Sequence, residues 1–149
     1  MQRWIVVGVI AMAMAFGGGL FAFRTYKQNR PYPVWVPLPI NPELPTERQD
    51  AIAKDLKTKL LDRKILVQVS KDLKLTDEWK MGSDAQCVEE LKNRIIVRVG
   101  ETTNRTGRIP SIDVGMNGKA KERAMSEKIS MRLVKDVYKI LGIDPPPAR

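Results

Sequence analysis

Residues 95–115, IIVRVGETTNRTGRIPSIDVG, contain two apolar alternations separated by a polar stretch, and this segment decides the fold of the chain. Residues 95–100 alternate between apolar and other side chains, and Ile112 and Val114 share one face of residues 109–115. A period of two is typical of a strand that buries one face. The polar residues 101–108 suit a hairpin loop. We therefore predict two neighbouring antiparallel strands.

A first helix is predicted ahead of this hairpin. Thr46 and Gln49 have the spacing of a capping box, with Thr46 as the N-cap and Gln49 three residues later. Ile52, Leu56 and Leu60 then form an apolar stripe at helical spacing. Together these features predict a helix that runs to about residue 62.

Two further elements are predicted between this helix and the hairpin. Residues 65–69, ILVQV, alternate with one strongly apolar face and predict a strand. Residues 83–86 offer a second capping box, and Val88 and Leu91 follow on what would be the apolar face of a short helix.

Residues 119–142 predict a long amphipathic helix after the hairpin. Gly142 is placed as its C-cap, and the prolines of the tail, residues 143–149, prevent its continuation. The predicted order over residues 46–142 is αβαββα. This order predicts an α+β domain in which helices cover one face of a three-stranded sheet.

An apolar segment precedes the domain. Residues 4–23 carry no charged side chain, and twenty helical residues span about 30 Å, the thickness of the hydrocarbon core of a bilayer. We predict a transmembrane anchor here, behind a short tail of residues 1–3. The alternative is a cleaved signal peptide, because Arg3 is basic and residues 13–15 have the form of a cleavage site.

Small and basic residues add detail to the predicted anchor. Gly17, Gly18 and Gly19 would allow another membrane helix to pack closely. Three cations follow the segment and favour the cytoplasmic side for the domain: Arg24, Lys27 and Arg30. Short N-terminal tails before an anchor often stay inside as well, so the side of the domain stays open.

Residues 24–45 begin basic and become rich in proline. Residues 30–45, RPYPVWVPLPINPELP, predict a polyproline II strap that could extend about 45–50 Å from the membrane. A simple spacer needs no apolar side chains, yet this one has several. These side chains either pack on their own domain or dock onto a partner; they include Tyr32, Val34, Trp35, Val36 and Leu38.

Composition restricts the chemistry that the domain can perform. The chain has a net charge of +9, one cysteine and no histidine. Catalytic Ser-His or Cys-His pairs and multi-cysteine zinc sites are therefore excluded. Cys87 is expected to be a small buried hydrophobe rather than a reactive thiol. Asp113 and the other carboxylates show no paired spacing and are expected to be solvated surface. We predict no catalytic residue, no cofactor and no metal site.

One local motif suggests ligand binding. Residues 115–119, GMNGK, read as a turn between a strand and a basic helix, where backbone N–H groups can hold an anion. The candidate anion-binding residues are Gly115, Asn117, Gly118, Lys119 and Lys121. The alternative is a plain Asn-Gly turn beside a helix start. Nucleic acid is disfavoured as a partner, because acidic residues interrupt the basic helix and Tyr138 is its only aromatic.

These features lead to two functional hypotheses. The first is a single-pass membrane protein that acts as a non-enzymatic accessory or scaffolding subunit, with the lipid bilayer and other membrane subunits as its partners. The second is a membrane-tethered domain that binds an anionic ligand through the glycine-rich turn. No small-molecule substrate is indicated.

Overall fold

The computed structural model describes residues 24–105 and 107–144. The predicted anchor with Gly17, Gly18 and Gly19, and the end of the proline-rich tail, lie outside these residues. Within the described residues, no helix combines the length and the hydropathy that crossing a bilayer requires. Residues 24–29 are helical and lead directly into the first strand.

Three antiparallel strands form one sheet, and the chain is of the predicted α+β class. They are β1 (Pro31–Pro39), β2 (Ile95–Asn104) and β3 (Gly107–Lys119), in the order β1-β3-β2. The predicted hairpin of β2 and β3 is confirmed, with Val97 opposite Val114. Its strands extend to Asn104 and from Gly107, so the connection is shorter than predicted.

The strap supplies β1, so the predictions of a polyproline II conformation and of a reach of about 45–50 Å from the membrane were wrong. β1 pairs with β3 along its whole length, from Pro31 opposite Lys119 to Pro39 opposite Ser111. Beyond the two ends of the strand, Ala120 N–H donates to Arg30 O and Ile40 N–H donates to Pro110 O, both at 3.0 Å. The strap is therefore part of the domain and does not reach away from it.

The positions of its prolines explain how the strap forms a strand. The two flanking hydrogen bonds place the even-numbered residues of β1 in the pairs that bond to β3. The prolines of β1 are all odd-numbered: Pro31, Pro33, Pro37 and Pro39. Their nitrogens, which lack a hydrogen, face the open side of an edge strand, where proline is tolerated. The same prolines remove most donors from that edge and so hinder the addition of another strand.

Within the described residues, four α-helices lie between β1 and β2, and one follows β3. They are α1 (Thr46–Leu60), α2 (Arg63–Asp72), α3 (Leu75–Glu78), α4 (Asp84–Arg94) and α5 (Arg123–Leu141), with a 3-10 turn at Ala120–Glu122. Gly142 ends α5 at a φ of 66°, as predicted. The predicted start of that helix at Lys119 was wrong, because Lys119 is the last residue of β3.

The two predicted capping boxes have different outcomes. Ser83 caps α4, its Oγ accepting from Gln86 N–H at 3.4 Å, as predicted. At α1 the N-cap is Pro45 and not Thr46. Gln49 still ties this helix start, since its Nε2 donates to Leu44 O at 2.7 Å.

The strand predicted at residues 65–69 is instead helix α2. Asp62 begins this helix, its Oδ1 accepting from Lys64 N–H at 2.7 Å. The buried residues are Leu66, Val69 and Ser70, whose spacing of three and four is helical. The four apolar residues at positions 65, 66, 67 and 69 are compatible with the period of a strand and with that of a helix. The N-cap at Asp62 favours the helix. The sheet thus has the predicted three strands, but the strap replaces residues 65–69 as the third.

Helices cover one face of the sheet and enclose the core. Ile112, Val114 and Met116 of β3 are buried on this face, together with apolar residues of α1, α4 and α5. Alternation along the strands places the intervening residues on the other face, which we call the helix-free face. Its residues are Pro33, Trp35 and Pro37 of β1, Ile96 and Arg98 of β2, and Ser111, Asp113 and Gly115 of β3.

An ion pair ties α2 to α5 and should make stability depend on pH. Arg132 Nη2 lies 2.9 Å from Asp72 Oδ2. This hydrogen-bonded partner holds the pKa of Asp72 below its ordinary value of 3.8. A depressed carboxyl pKa stabilises the fold above the unfolded-state pKa and loses that effect as the pH falls through the folded-state pKa.

We expect Asp72→Asn to lower the free energy of unfolding near neutral pH and to have a shrinking effect below about pH 4. Urea denaturation of both proteins across this range measures the difference. Asp55→Asn is the control, because it removes only the exposed pair with Lys59 on α1 and should cost less than about 0.5 kcal/mol. An Asp72→Asn effect that stays constant from neutral to acid pH would contradict the assignment.

Candidate functional site

The predicted glycine-rich turn is not a turn. Residues 115–119 belong to β3, where Gly115 lies opposite Trp35 and Gly118 opposite Tyr32 of β1. A single 3-10 turn (Ala120–Glu122) follows the strand and α5 begins at Arg123, so residues 115–119 do not form the predicted turn at the start of the long helix. Both the anion-binding turn and the plain Asn-Gly turn were therefore wrong as descriptions of this segment.

Close packing explains why glycine occupies positions 115 and 118. A Cβ on Gly115 would overlap the carbonyl oxygen of Val34, and it would lie 2.5 Å from the Cα of Trp35. A Cβ on Gly118 would overlap Oγ of Ser126 on α5. These positions let β1 approach β3, and α5 approach the end of the sheet, more closely than any larger residue allows.

Lys119 and Lys121 lie in a surface groove at the end of the sheet, of about 510 Å³. We call it the basic groove; its lining includes Lys80 and Arg94 as further cations and Glu78 and Glu122 as carboxylates. Arg94 is matched by Glu90 at 2.5 Å and by Glu122 at 2.7 Å. Within the described part of the chain, Lys80, Lys119 and Lys121 have no carboxylate within ion-pair distance.

An aromatic side chain forms one wall of the basic groove. The guanidinium carbon of Arg94 lies 5.1 Å from the centre of the Trp79 ring, within the range of a cation–π contact. The indole Nε1 of Trp79 is buried and has no hydrogen-bond partner among the described residues. Sequence reasoning missed Trp79 and Lys80, because they lie between α3 and α4, far along the chain from Lys119.

The helix-free face carries a second cluster around Trp35. The guanidinium carbon of Arg98 lies 4.7 Å from the centre of the Trp35 ring. Arg98 Nε lies 3.4 Å from Asp113 Oδ2, and Ser111 Oγ donates to Asp113 Oδ1 at 3.1 Å. Asp113 is only 4% exposed, so its expected place on the solvated surface was wrong. Gly115 has no side chain, and this leaves room above the central strand for Trp35.

The apolar residues of the strap divide between the two faces. Val34, Val36 and Leu38 are half-buried on the helix side, and Leu38 packs against the core. Tyr32, also on the helix side, is 37% exposed, with Arg123 5.3 Å from its ring centre. Trp35, on the helix-free face, is 39% exposed. Part of the strap therefore packs on its own domain, and Trp35 and Tyr32 stay accessible.

Cys87 is buried in the core, as expected for a small hydrophobe, and its Sγ lies 3.8 Å from Thr76 Oγ1. Among residues 24–105 and 107–144, no group of three cysteine or carboxylate side chains is placed to hold a metal ion.

No protein family model matches the chain, and no curated protein or solved structure is significantly similar to it. The geometry of the basic groove and of the helix-free face is therefore the basis for any statement about function.

Proposed function

We propose that this chain is a membrane-anchored, non-enzymatic accessory or scaffolding subunit that binds a membrane-held partner on its helix-free face. The anchor is residues 4–23, whose length and hydropathy suit a bilayer. The observation that carries the partner surface is Trp35, a large side chain that stays 39% exposed on a sheet face opposite the helices.

The connection between anchor and domain keeps this surface close to the membrane. Residues 24–29 are helical and β1 begins at Pro31. Six helical residues rise about 9 Å. The domain therefore begins about 10–15 Å from the end of the apolar segment, and not at the end of a 45–50 Å strap. A partner on the helix-free face is then itself best held at the membrane.

The chemistry of the helix-free face suits protein recognition. Tryptophan and arginine are the residues that most often dominate interface energies, and here Arg98 stacks on Trp35. Pro33 and Pro37 flank Trp35 on the same face and lose little conformational entropy when they are covered. Since the prolines of β1 hinder pairing at its free edge, we infer that the partner docks on the face of the sheet and does not add a strand beside β1.

The test is co-purification of the full-length protein from membranes in a mild detergent, with partners identified by mass spectrometry. We expect the wild type to retain a membrane partner in stoichiometric amount and Trp35→Ala to weaken it about tenfold or more. Tyr32→Ala is a matched control. It removes an aromatic of nearly equal exposure from the same strand, also stacked on an arginine, but on the opposite face.

Two outcomes would contradict the proposal. One is a wild-type chain that purifies alone or only with copies of itself. The other is an equal loss of partner in Trp35→Ala and Tyr32→Ala when both variants melt like the wild type.

A second arm of the experiment replaces the anchor with an unrelated one. That replacement must end at residue 23, because β1 begins at Pro31 and belongs to the sheet.

A further inference from the structure

We propose that the end of the domain at which the chain enters binds the anionic headgroups of the membrane lipids around the anchor. This inference rests on the proposed anchoring by residues 4–23. It concerns the basic groove and the cations that precede β1, and it is separate from the partner surface around Trp35.

The register of the sheet places the basic groove beside the point of entry. Pro31 lies opposite Lys119, and Ala120 N–H donates to Arg30 O at 3.0 Å. Lys121 follows within the 3-10 turn. Residues that are about ninety positions apart in the chain are thus held at the same end of the sheet, directly after the predicted anchor.

The charge of this end is positive. The lining of the basic groove has four cations and two carboxylates, and because Arg94 is paired with Glu90 and Glu122, the positive charge of the groove comes from Lys80, Lys119 and Lys121. Arg24, Lys27 and Arg30 add three further cations just before β1. Each lysine or arginine is attracted to an anionic leaflet when it lies within roughly a Debye length of the surface. The short connection between the predicted anchor and β1 keeps the basic groove close to this distance from the membrane surface.

Aromatic residues favour a lipid surface as the source of the anionic groups. Tyr26 lies within the helical residues 24–29, is 65% exposed, and has Arg30 5.7 Å from its ring centre. Tyrosine and tryptophan side chains next to basic residues are characteristic of the headgroup region of membranes. Trp79 adds an indole to the wall of the basic groove. A free phosphate carries the same kind of charge but makes no favourable contact with the aromatic side chains of Tyr26 and Trp79.

The opposite end of the sheet provides an internal comparison. β3 has 13 residues, so its two ends are about 40 Å apart. Arg105 and Arg108 lie at the far end, at the tip of the hairpin, and both are exposed. Lys139 near the end of α5 is also exposed and remote from the basic groove. Lipid contact at the near end should leave these side chains unaffected.

The experiment is lysine footprinting of the full-length chain in nanodiscs with a water-soluble acylating reagent, read by mass spectrometry. One set of nanodiscs contains phosphatidylcholine alone, and the other an equimolar mixture with phosphatidylglycerol. We expect labelling of Lys80, Lys119 and Lys121 to slow about threefold or more in the anionic nanodiscs. Labelling of Lys139 should not change, and roughly 1 M salt should remove the protection.

A charge-reversal pair tests the assignment to residues. Lys119→Glu with Lys121→Glu should abolish the protection of Lys80, whereas Arg105→Glu with Arg108→Glu, which changes the net charge equally, should leave it intact. Equal labelling in both lipids would overturn the proposal, and so would equal protection by inorganic phosphate in phosphatidylcholine nanodiscs. A chain that does not stay with the nanodiscs at all would instead contradict the anchoring.

Discussion

Replacing Gly115 with alanine is expected to lower the free energy of unfolding by about 3 kcal/mol, a large effect for the addition of one methyl group. The new Cβ would overlap the backbone of Val34 and lie 2.5 Å from the Cα of Trp35. Neither obstacle is the flexible end of a side chain, so β1 itself would have to move away from β3. Urea denaturation followed by far-UV circular dichroism measures the loss.

Gly82→Ala is the matched control. Gly82 lies before α4, and a Cβ there would meet only Gln86 Oε1, at an ordinary contact distance of 3.5 Å. We expect a change of less than about 0.5 kcal/mol. Similar effects of the two substitutions would contradict the pairing of β1 with β3. The same displacement of β1 should also expose Trp35 further.

The elements predicted correctly are those whose signal is local. The hairpin alternates over both strands, Ser83 and Gln86 mark the start of α4, and Gly142 marks the end of α5. Each of these signals lies within a few residues of the feature it predicts. Helix α1 also formed where its apolar stripe indicated, although its cap is one residue earlier.

β1 could not be predicted in the same way. Its prolines argue against a strand when the chain is considered alone. They are compatible with a strand only because all four prolines are at odd-numbered positions, whose backbone nitrogens point away from β3. The sequence alone does not show which positions point away, because that depends on the register with the partner strand. Gly115 and Gly118 present the same difficulty. They read as turn residues in the sequence, and their role in close packing depends on β1 and α5.

The candidate sites follow this division. Lys119 and Lys121 were selected from the sequence and do lie in a basic groove, but for a reason different from the one predicted. Trp79, Lys80 and Arg94 join them only through the packing of separate elements. Trp35 was selected as a docking residue of the strap. Arg98, which stacks on Trp35, was not selected, because the strand order that places β1 and β2 on either side of β3 is a property of the tertiary fold.

The second large effect is expected at Leu66 and distinguishes the helix α2 from the strand predicted at residues 65–69. In the helix, Leu66 is fully buried and Val67 is half-buried at the rim of a surface groove. In a strand with the apolar face formed by Ile65, Val67 and Val69, Val67 would face the core and Leu66 would point away. The two structures therefore rank the same pair of substitutions in opposite order.

Leu66→Ala is expected to lower the free energy of unfolding by about 3 kcal/mol, because it leaves a cavity in the core as well as removing buried apolar surface. Val67→Ala should cost less than about 1 kcal/mol, since the lost contacts are partly offset by the higher helix propensity of alanine. Urea denaturation of both variants under one condition provides the comparison. A larger loss of unfolding free energy for Val67→Ala than for Leu66→Ala would support the predicted strand and contradict helix α2. It would then also contradict the ion pair between Asp72 and Arg132, which depends on that helix.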